Sequence, residues 1–399
     1  MAVLLSLPTL MNTTADIESR AAAALRAGDA ATARRLYTEL AYADRTEASV
    51  LLGLAYACRA LNDDAGKIVA VDHLLSHEPN NIRALILKAD HLALGGDGRA
   101  AVAFYRAVLR AAAVLQTVPA DLVTELRRVQ AAADRYAAEF EEFLRTHLSR
   151  RGFDERRSNV RFAEALDLLV GKRQVFLQSP RFFYYPGLPQ IQFYPREKFP
   201  WFDALERSSD AIRAELLEVL KEPSAFAPYV QKKNNRPHNE QAGMLNNPDW
   251  SAFFLWKNGE EIPENAARCP RTMQAFSEVP LARVPNRSPS ILFSLLRPGT
   301  HIPAHSGMVN TRLICHLPLI VPGKCTFRVG NEVRQWQEGR GWIFDDTIEH
   351  EAWNETDQTR VVMIFDVWKP ELSDEERAQV IALFEAIDAY SGTKPHWEI

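Results

Sequence analysis

Arg312-Leu313-Ile314-Cys315-His316-Leu317-Pro318-Leu319-Ile320 is an apolar-rich run bounded by turns. Similar β-type runs occupy residues 290–296, 324–329, 332–336, 342–345 and 360–368. Short strands separated by turns at this density predict a sandwich or barrel in the C-terminal half of the chain. Just upstream, residues 180–201 carry Pro180, Phe182, Phe183, Tyr184, Tyr185, Pro186 and further prolines and aromatics through Trp201. That stretch is too hydrophobic for a flexible linker and predicts an ordered segment packed on a core. One amphipathic helix is expected after it, over 202–221.

The first 150 residues differ in kind. They are rich in Ala, Leu and Arg, nearly free of Pro, and place apolar residues at helical spacing. Gly28-Asp29, Asn62-Asp63 and Gly96-Asp97 recur every 34 residues, and Ala33/Ala101 and Tyr37/Tyr105 keep the same phase. A 34-residue helix–turn–helix period resembles a tetratricopeptide array, although Lys67 stands where a small residue is expected and the signature Trp is absent. One helix pair cannot bury its apolar face alone, and stacking makes the core continuous. A further helix is expected over Ala120–Arg150, with Pro119 suited to its first turn.

The chain has 399 residues, 47% hydrophobic and 25% charged, with a formal net charge of -4. Two domains follow from that length. The charge balance gives no reason to expect nucleic acid. Cys58, Cys269, Cys315 and Cys325 lack CxxC spacing, which argues against a disulfide framework or a thiolate zinc site. The Met1–Leu10 stretch has no basic n-region and is not read as a signal peptide. No apolar stretch approaches a membrane span. A cytoplasmic location is expected.

His305 follows an expected strand and a Pro298-Gly299 turn, His350 comes 45 residues later, and Arg360 ten residues beyond that. Fe(II) takes imidazole readily and needs open positions for a bidentate oxo acid and dioxygen. An Arg fork with a hydroxyl beside it suits the distal carboxylate of 2-oxoglutarate. The usual facial triad is His-x-Asp/Glu…His, yet Gly307 occupies the carboxylate position. Asp345 or Asp346 is a possible source of a carboxylate, but an Asp pair beside a turn is commonly a turn element.

Three groups of residues resemble the aspartyl/asparaginyl β-hydroxylase family. They are His305-Ser306-Gly307-Met308-Val309-Asn310-Thr311-Arg312 with Cys315-His316-Leu317, Ile343-Phe344-Asp345-Asp346-Thr347-Ile348-Glu349-His350 with Glu351-Ala352-Trp353, and Asp366-Val367-Trp368-Lys369-Pro370. Pro298-Gly299-Thr300-His301 and Asp249-Trp250 fit the same pattern. The resemblance covers about residues 180–372. Its members hold iron with two histidines and no carboxylate, with glycine at the position of Gly307. The resemblance implies His305 and His350 as metal ligands and catalytic residues, with Asp346 beside the metal water. It implies Ser294 and Arg360 on the distal carboxylate of 2-oxoglutarate and His316 on its C1 carboxylate. Arg312 matches a position that binds the substrate's acidic group. The family's second Arg is Ile314 here, which leaves the C1 carboxylate to His316 or to a residue from elsewhere.

The expected fold is α+β in two domains, a TPR-like helical repeat over 14–150 and a double-stranded β-helix (jelly-roll or cupin-like) over 160–395. The expected activity is Fe(II)-, 2-oxoglutarate- and O2-dependent hydroxylation of the β-carbon of an Asp/Asn-type residue or related substrate, releasing succinate and CO2. Two alternatives stand beside it, a jelly-roll binding module that recruits proteins through its repeats and a non-oxidative cupin-type metalloenzyme. The repeats point by analogy to a peptide or protein partner. His301 is read as ordering a turn. His73, His77, His91, His147, His238 and His396 are read as structural or surface residues, Trp336, Trp342, Trp353 and Trp368 as core, Asp345 as structural, and Arg328 and Arg334 as solvent-facing.

Overall fold

The structure is a computed structural model that describes residues 14–42, 47–154, 157, 159–232 and 243–391. It divides into two compact units, Met1–Lys172 and Arg173–Ile399.

In the first unit, helices α1 (Thr14–Arg26) and α2 (Ala30–Tyr42), α3 (Ala48–Ala60) and α4 (Asp64–His77), and α5 (Ile82–Leu94) and α6 (Gly98–Ala113) form three successive hairpins. The 34-residue period has a backbone cause. Gly28, Asn62 and Gly96 all take left-handed φ, at 82°, 57° and 82°, which glycine and asparagine tolerate best. The next residue then caps the second helix of each pair. Asp29, Asp63 and Asp97 accept from the backbone N–H of Thr32, Gly66 and Ala100 at 3.0, 2.9 and 2.9 Å. Ala33, Tyr37, Ala101 and Tyr105 are buried, as their shared phase requires. Lys67 is buried too, and its ammonium bonds Asp64 one turn earlier. Each hairpin packs on the next, and α7 (Ala120–Arg150) packs on α6. Pro119 stands at the N-cap of α7, just before its first turn. Helix α8 (Val160–Leu169) ends the unit.

The second unit opens with the Pro/aromatic segment, whose Phe193, Tyr194 and Phe199 are buried. The single helix expected over 202–221 is two, α9 (Phe202–Arg207) and α10 (Ser209–Leu220). Short helices α11 (Pro263–Ala266) and α12 (Pro270–Ala275) and the long α13 (Asp374–Ser391) complete the helical part. The strands are β1 (Ala227–Pro228), β2 (Trp250–Lys257), β3 (Glu260–Glu261), β4 (Ile291–Leu296), β5 (His301–His305), β6 (Arg312–Ile320), β7 (Cys325–Val329), β8 (Glu332–Gln335), β9 (Trp342–Phe344), β10 (His350–Asn354) and β11 (Arg360–Trp368).

They form two antiparallel sheets. The larger runs β1-β2-β4-β11-β6-β9, with β3 beside β2, and the smaller runs β5-β10-β7-β8. From β4 to β11 the chain passes back and forth between the sheets, which makes the eight-stranded double-stranded β-helix. Period-two patterning tells the faces of the larger sheet apart. Odd-numbered Phe293, Leu313, Cys315, Leu317, Val361, Met363 and Phe365 pack outward on Phe202, Leu205, Ile212, Leu216 and Val219 of α9 and α10. Each such fully buried large side chain contributes about 1.5–3 kcal/mol. Even-numbered Ser294, Arg312, Ile314, His316, Arg360 and Ile364 face the interior between the sheets, where a pocket lies. Among the described residues no helix is long and apolar enough to cross a membrane.

Candidate active site

The centre of the pocket is a pair of imidazoles on adjacent strands. His305 ends β5, His350 begins β10, and the two are direct partners in the antiparallel ladder. Their ring centroids lie 4.1 Å apart. Nδ1 of His305 is 2.7 Å from the carbonyl of Pro303, and Nδ1 of His350 is 3.1 Å from that of Ile348. A carbonyl can only accept, so each Nδ1 carries the proton and each Nε2 keeps its lone pair. Burial, the largest influence on both, holds the two pKa values below the ordinary histidine range, that of His350 well below it. Two neutral imidazoles with fixed tautomers are the form a metal takes.

No carboxylate stands at position 307, and the structure gives the reason. A Cβ on Gly307 would lie 2.1 Å from Oδ2 of Asp346, so the space a side chain would take is filled by that carboxylate. Asp346 is buried, and its Oδ2 lies 3.7 Å from the guanidinium of Arg312, which also donates to Asp366 at 3.0 Å. Burial outweighs the attraction of Arg312 and pushes the Asp346 pKa up to about 7. Its neighbour Asp345 is wholly structural. Lys369 donates to it at 2.6 Å, Gln178 at 2.8 Å, and the Thr347 backbone and hydroxyl at 3.0 and 2.6 Å. This network holds the turn that aims Asp346 at Gly307. Among the described residues no cluster of three or more His, Cys, Asp or Glu side chains is arranged to hold a metal.

The deep end of the pocket is built around Arg360. Its guanidinium is buried, lies 4.6 Å over the ring of Trp336, and touches the protein's hydrogen-bonding groups through the Ser294 carbonyl at 3.4 Å. No carboxylate stands within ion-pair distance of it among the described residues, and burial pushes its pKa down to about 10. An unpaired buried cation is costly, and an anion beside it would offset that cost. Ser294 lies on the neighbouring strand, its hydroxyl 3.3 Å from the indole N–H of Trp250. His316 is buried among Phe327, Trp336 and Phe344. Burial, with Arg360 adding to it, holds its pKa well below the ordinary range. Nδ1 of His316, Nε of Arg360 and Oδ1 of Asp346 are all buried without a protein partner. Such groups call for a ligand or ordered water.

Every residue singled out in the sequence, His305, His350, Asp346, Ser294, His316, Arg360 and Arg312, lines this one pocket, and so does Ile314. Trp336 differs from its reading as core alone, since it is buried and also forms the platform under Arg360. His301 stacks on Trp353 at 4.9 Å and bonds Glu351 at 3.0 Å, away from the pocket lining. Arg328 is not simply solvent-facing, because it is paired with Glu349 and Glu351. Arg334 lies 3.8 Å over Phe193. His238 and His396 lie outside the described residues.

Sequence reasoning missed Arg181. It arrives on the irregular segment whose backbone bonds Gly307 and Met308, and its charge acts on His305, His350 and Asp346. Nothing local marks it, because it lies more than a hundred residues upstream of the histidines. Trp250 was visible as a motif residue, but its bond to Ser294 was not.

The family described as "Aspartyl/Asparaginyl beta-hydroxylase" matches residues 206–370. An "Ornithine lipid ester-linked acyl 2-hydroxylase" from Rhizobium tropici is 38% identical over 216 residues, which cover 53% of this chain and 68% of that protein. The "Aspartyl/asparaginyl beta-hydroxylase" of Mus musculus is 37% identical over 185 residues, 45% of this chain but 23% of that protein. "Aspartate beta-hydroxylase domain-containing protein 2" of Xenopus tropicalis is 32% identical over 213 residues, 52% of this chain and 55% of that one.

Proposed function

Because this chain belongs to the aspartyl/asparaginyl β-hydroxylase family, we propose that it is an Fe(II)- and 2-oxoglutarate-dependent dioxygenase. In this reading it hydroxylates a C–H bond of its substrate and releases succinate and carbon dioxide. The observation that carries the reading is Arg360, a buried guanidinium without a carboxylate partner, in one pocket with two neutral imidazoles.

The residues fit the metal. Fe(II) binds imidazole nitrogen well, and His305 and His350 would hold it through Nε2, their Nδ1–H groups being engaged by backbone carbonyls. Two protein ligands leave room for a chelating oxo acid and for dioxygen, and Gly307 explains why a third side chain is lacking. When bound, the metal supplies the activation of dioxygen, which no side chain provides.

The remaining work belongs to the chain. Arg360 and the Ser294 hydroxyl would hold the distal carboxylate of 2-oxoglutarate, with Trp336 fixing the guanidinium plane. His316 would meet the C1 carboxylate through its unpartnered Nδ1. As a neutral ring it would offer a hydrogen bond and no charge. Ile314 gives that carboxylate no second cation. Asp346, with Oδ1 unpaired, would accept from water or substrate beside the histidines. Aromatic walls of Phe327, Trp336 and Phe344 would keep bulk water from the co-substrate.

The test is succinate formed from 2-oxoglutarate by the full chain with Fe(II) and ascorbate, beside anaerobic Fe(II) titration. His305→Ala and His350→Ala are expected to lose tight iron binding and turnover while keeping the fold. Undiminished activity in either variant overturns the assignment.

A further inference from the structure

The segment that carries Arg181 is clamped from two sides. The Ser179 N–H donates to the Thr347 carbonyl at 2.7 Å, and the Ser179 carbonyl accepts from the Ser306 hydroxyl at 2.9 Å. Gln178, just before it, bonds both Asp345 and Asn310. The Arg181 N–H then donates to the Gly307 carbonyl at 3.0 Å, and those of Phe182 and Phe183 to the Met308 carbonyl at 3.0 and 3.1 Å. Residue 181 is therefore fixed against the backbone two positions from His305.

Its guanidinium stands at the rim of the pocket. It is outside the lining itself and reaches solvent, while its charge interacts with His305, His350, Asp346 and Tyr229, all of which line the pocket. Among the described residues no hydrogen bond or ion pair engages that guanidinium. The other cations near the mouth are occupied. Arg312 donates to Asp366 at 3.0 Å and stands 3.7 Å from Asp346. Arg287 donates to Asp388 at 2.7 Å, and Lys257 lies 4.8 Å over the ring of Phe254. An anion reaching Arg312 would have to displace a buried carboxylate, whereas one reaching Arg181 displaces only water.

We infer that Arg181, and not Arg312, receives a carboxylate of the substrate at the rim of the pocket. The inference rests on reading the pocket as that of a 2-oxoglutarate oxygenase. In that reading the co-substrate fills the deep end, from Arg360 to the histidines, so a group that meets Arg181 arrives from the solvent side. A planar guanidinium fork holds a carboxylate through two parallel N–H bonds, and an amide of the same shape has one acceptor oxygen to offer. The rim is thus built to prefer an acidic substrate over its amide isostere. A carboxylate held there leaves its neighbouring carbons at the side of the two imidazoles.

The test uses the full chain, iron-free and with 2-oxoglutarate in excess. It is titrated with N-acetylaspartic acid α-amide or with the isosteric N-acetylasparagine α-amide, followed by ligand-observed NMR. Wild type is expected to bind the acid about tenfold more tightly than the amide, as a charge-assisted pair predicts. Arg181→Gln is expected to remove that preference and Arg181→Lys to restore part of it. Circular dichroism verifies the fold of both variants, and stabilisation by 2-oxoglutarate, read by differential scanning fluorimetry, should persist in each. An acid probe that binds wild type no better than the amide, or not at all, overturns the inference. So does a preference that survives Arg181→Gln, which returns the carboxylate to Arg312. Loss of stabilisation by 2-oxoglutarate in Arg181→Gln also overturns it and assigns the fork to the co-substrate's C1 carboxylate. An Arg181-dependent preference in a wild type that 2-oxoglutarate does not stabilise, with no succinate after iron loading, overturns the oxygenase reading instead and leaves an anion receptor.

Discussion

Replacing Gly307 with alanine isolates the close contact between position 307 and Asp346. The added Cβ would stand 2.1 Å from Oδ2 and 2.3 Å from Cγ of Asp346, against about 3.5–4 Å for a relaxed contact. Gly307 is not among the glycines with left-handed φ, so the backbone itself accepts alanine and the whole penalty comes from Asp346. Overpacking of this kind costs about 1–3 kcal/mol, and stiffening the unfolded chain returns about 0.4–1 kcal/mol. A net loss of about 1–2 kcal/mol lowers the melting temperature of a unit this size by roughly 2–8 °C. All eight tryptophans lie beyond residue 172, so thermal unfolding followed by tryptophan fluorescence reads the second unit alone. In an Asp346→Ala background the clash is gone, and Gly307→Ala is expected to become neutral or stabilising by about 0.4–1 kcal/mol. Equal destabilisation in both backgrounds, within about 0.5 kcal/mol, refutes the argument that the carboxylate of Asp346 enforces glycine at 307.

Three further outcomes follow from named residues. Arg360→Met should leave the thermal stability of the ligand-free protein unchanged or raised, because it removes a buried charge that has no carboxylate partner, while abolishing stabilisation by 2-oxoglutarate; differential scanning fluorimetry reads both. Asp346 has its pKa raised to about 7 in the fold, above its unfolded value, so its protonation favours the native state and stability falls as pH rises from about 4 through 7; denaturant unfolding of iron-free protein should show Asp346→Asn losing less stability than wild type across that window. Asp97→Ala removes the acceptor for the Ala100 N–H at the start of α6 and should cost the helical unit about 1 kcal/mol, read by far-UV circular dichroism.

Legibility from sequence followed how local the cause was. The 34-residue period was readable because Gly28, Asn62 and Gly96 meet the same backbone demand with the same capping Asp beside each. Strands β6 and β11 were readable to the residue because each is an apolar-rich β-type run bounded by turns. Strand β2 went unread as a strand even though Trp250 was noticed, since WSAFFLWK is apolar on both faces and carries no alternation. Strand β5 is short and bears Pro303, so it read as a turn region. The His305–His350 pair was a weak signal by spacing alone; resemblance named both, and strand register sets them side by side. Arg181, the platform role of Trp336 and the tying of Arg312 to two aspartates all depend on contacts between distant segments, and no pattern along the chain encodes them.

The ladder that places His305 opposite His350 also acts as a proofreader. Side chains on a strand alternate faces, so a slip of one residue between β5 and β10 would turn one imidazole to the outside and leave a lone nitrogen within. On the proposed metal site, a misaligned chain would hold half a chelate, which grips a metal far more weakly than two nitrogens set together. Metal uptake would then report the fidelity of strand alignment, and a population that has folded out of register would announce itself as the fraction that stays empty at saturating metal.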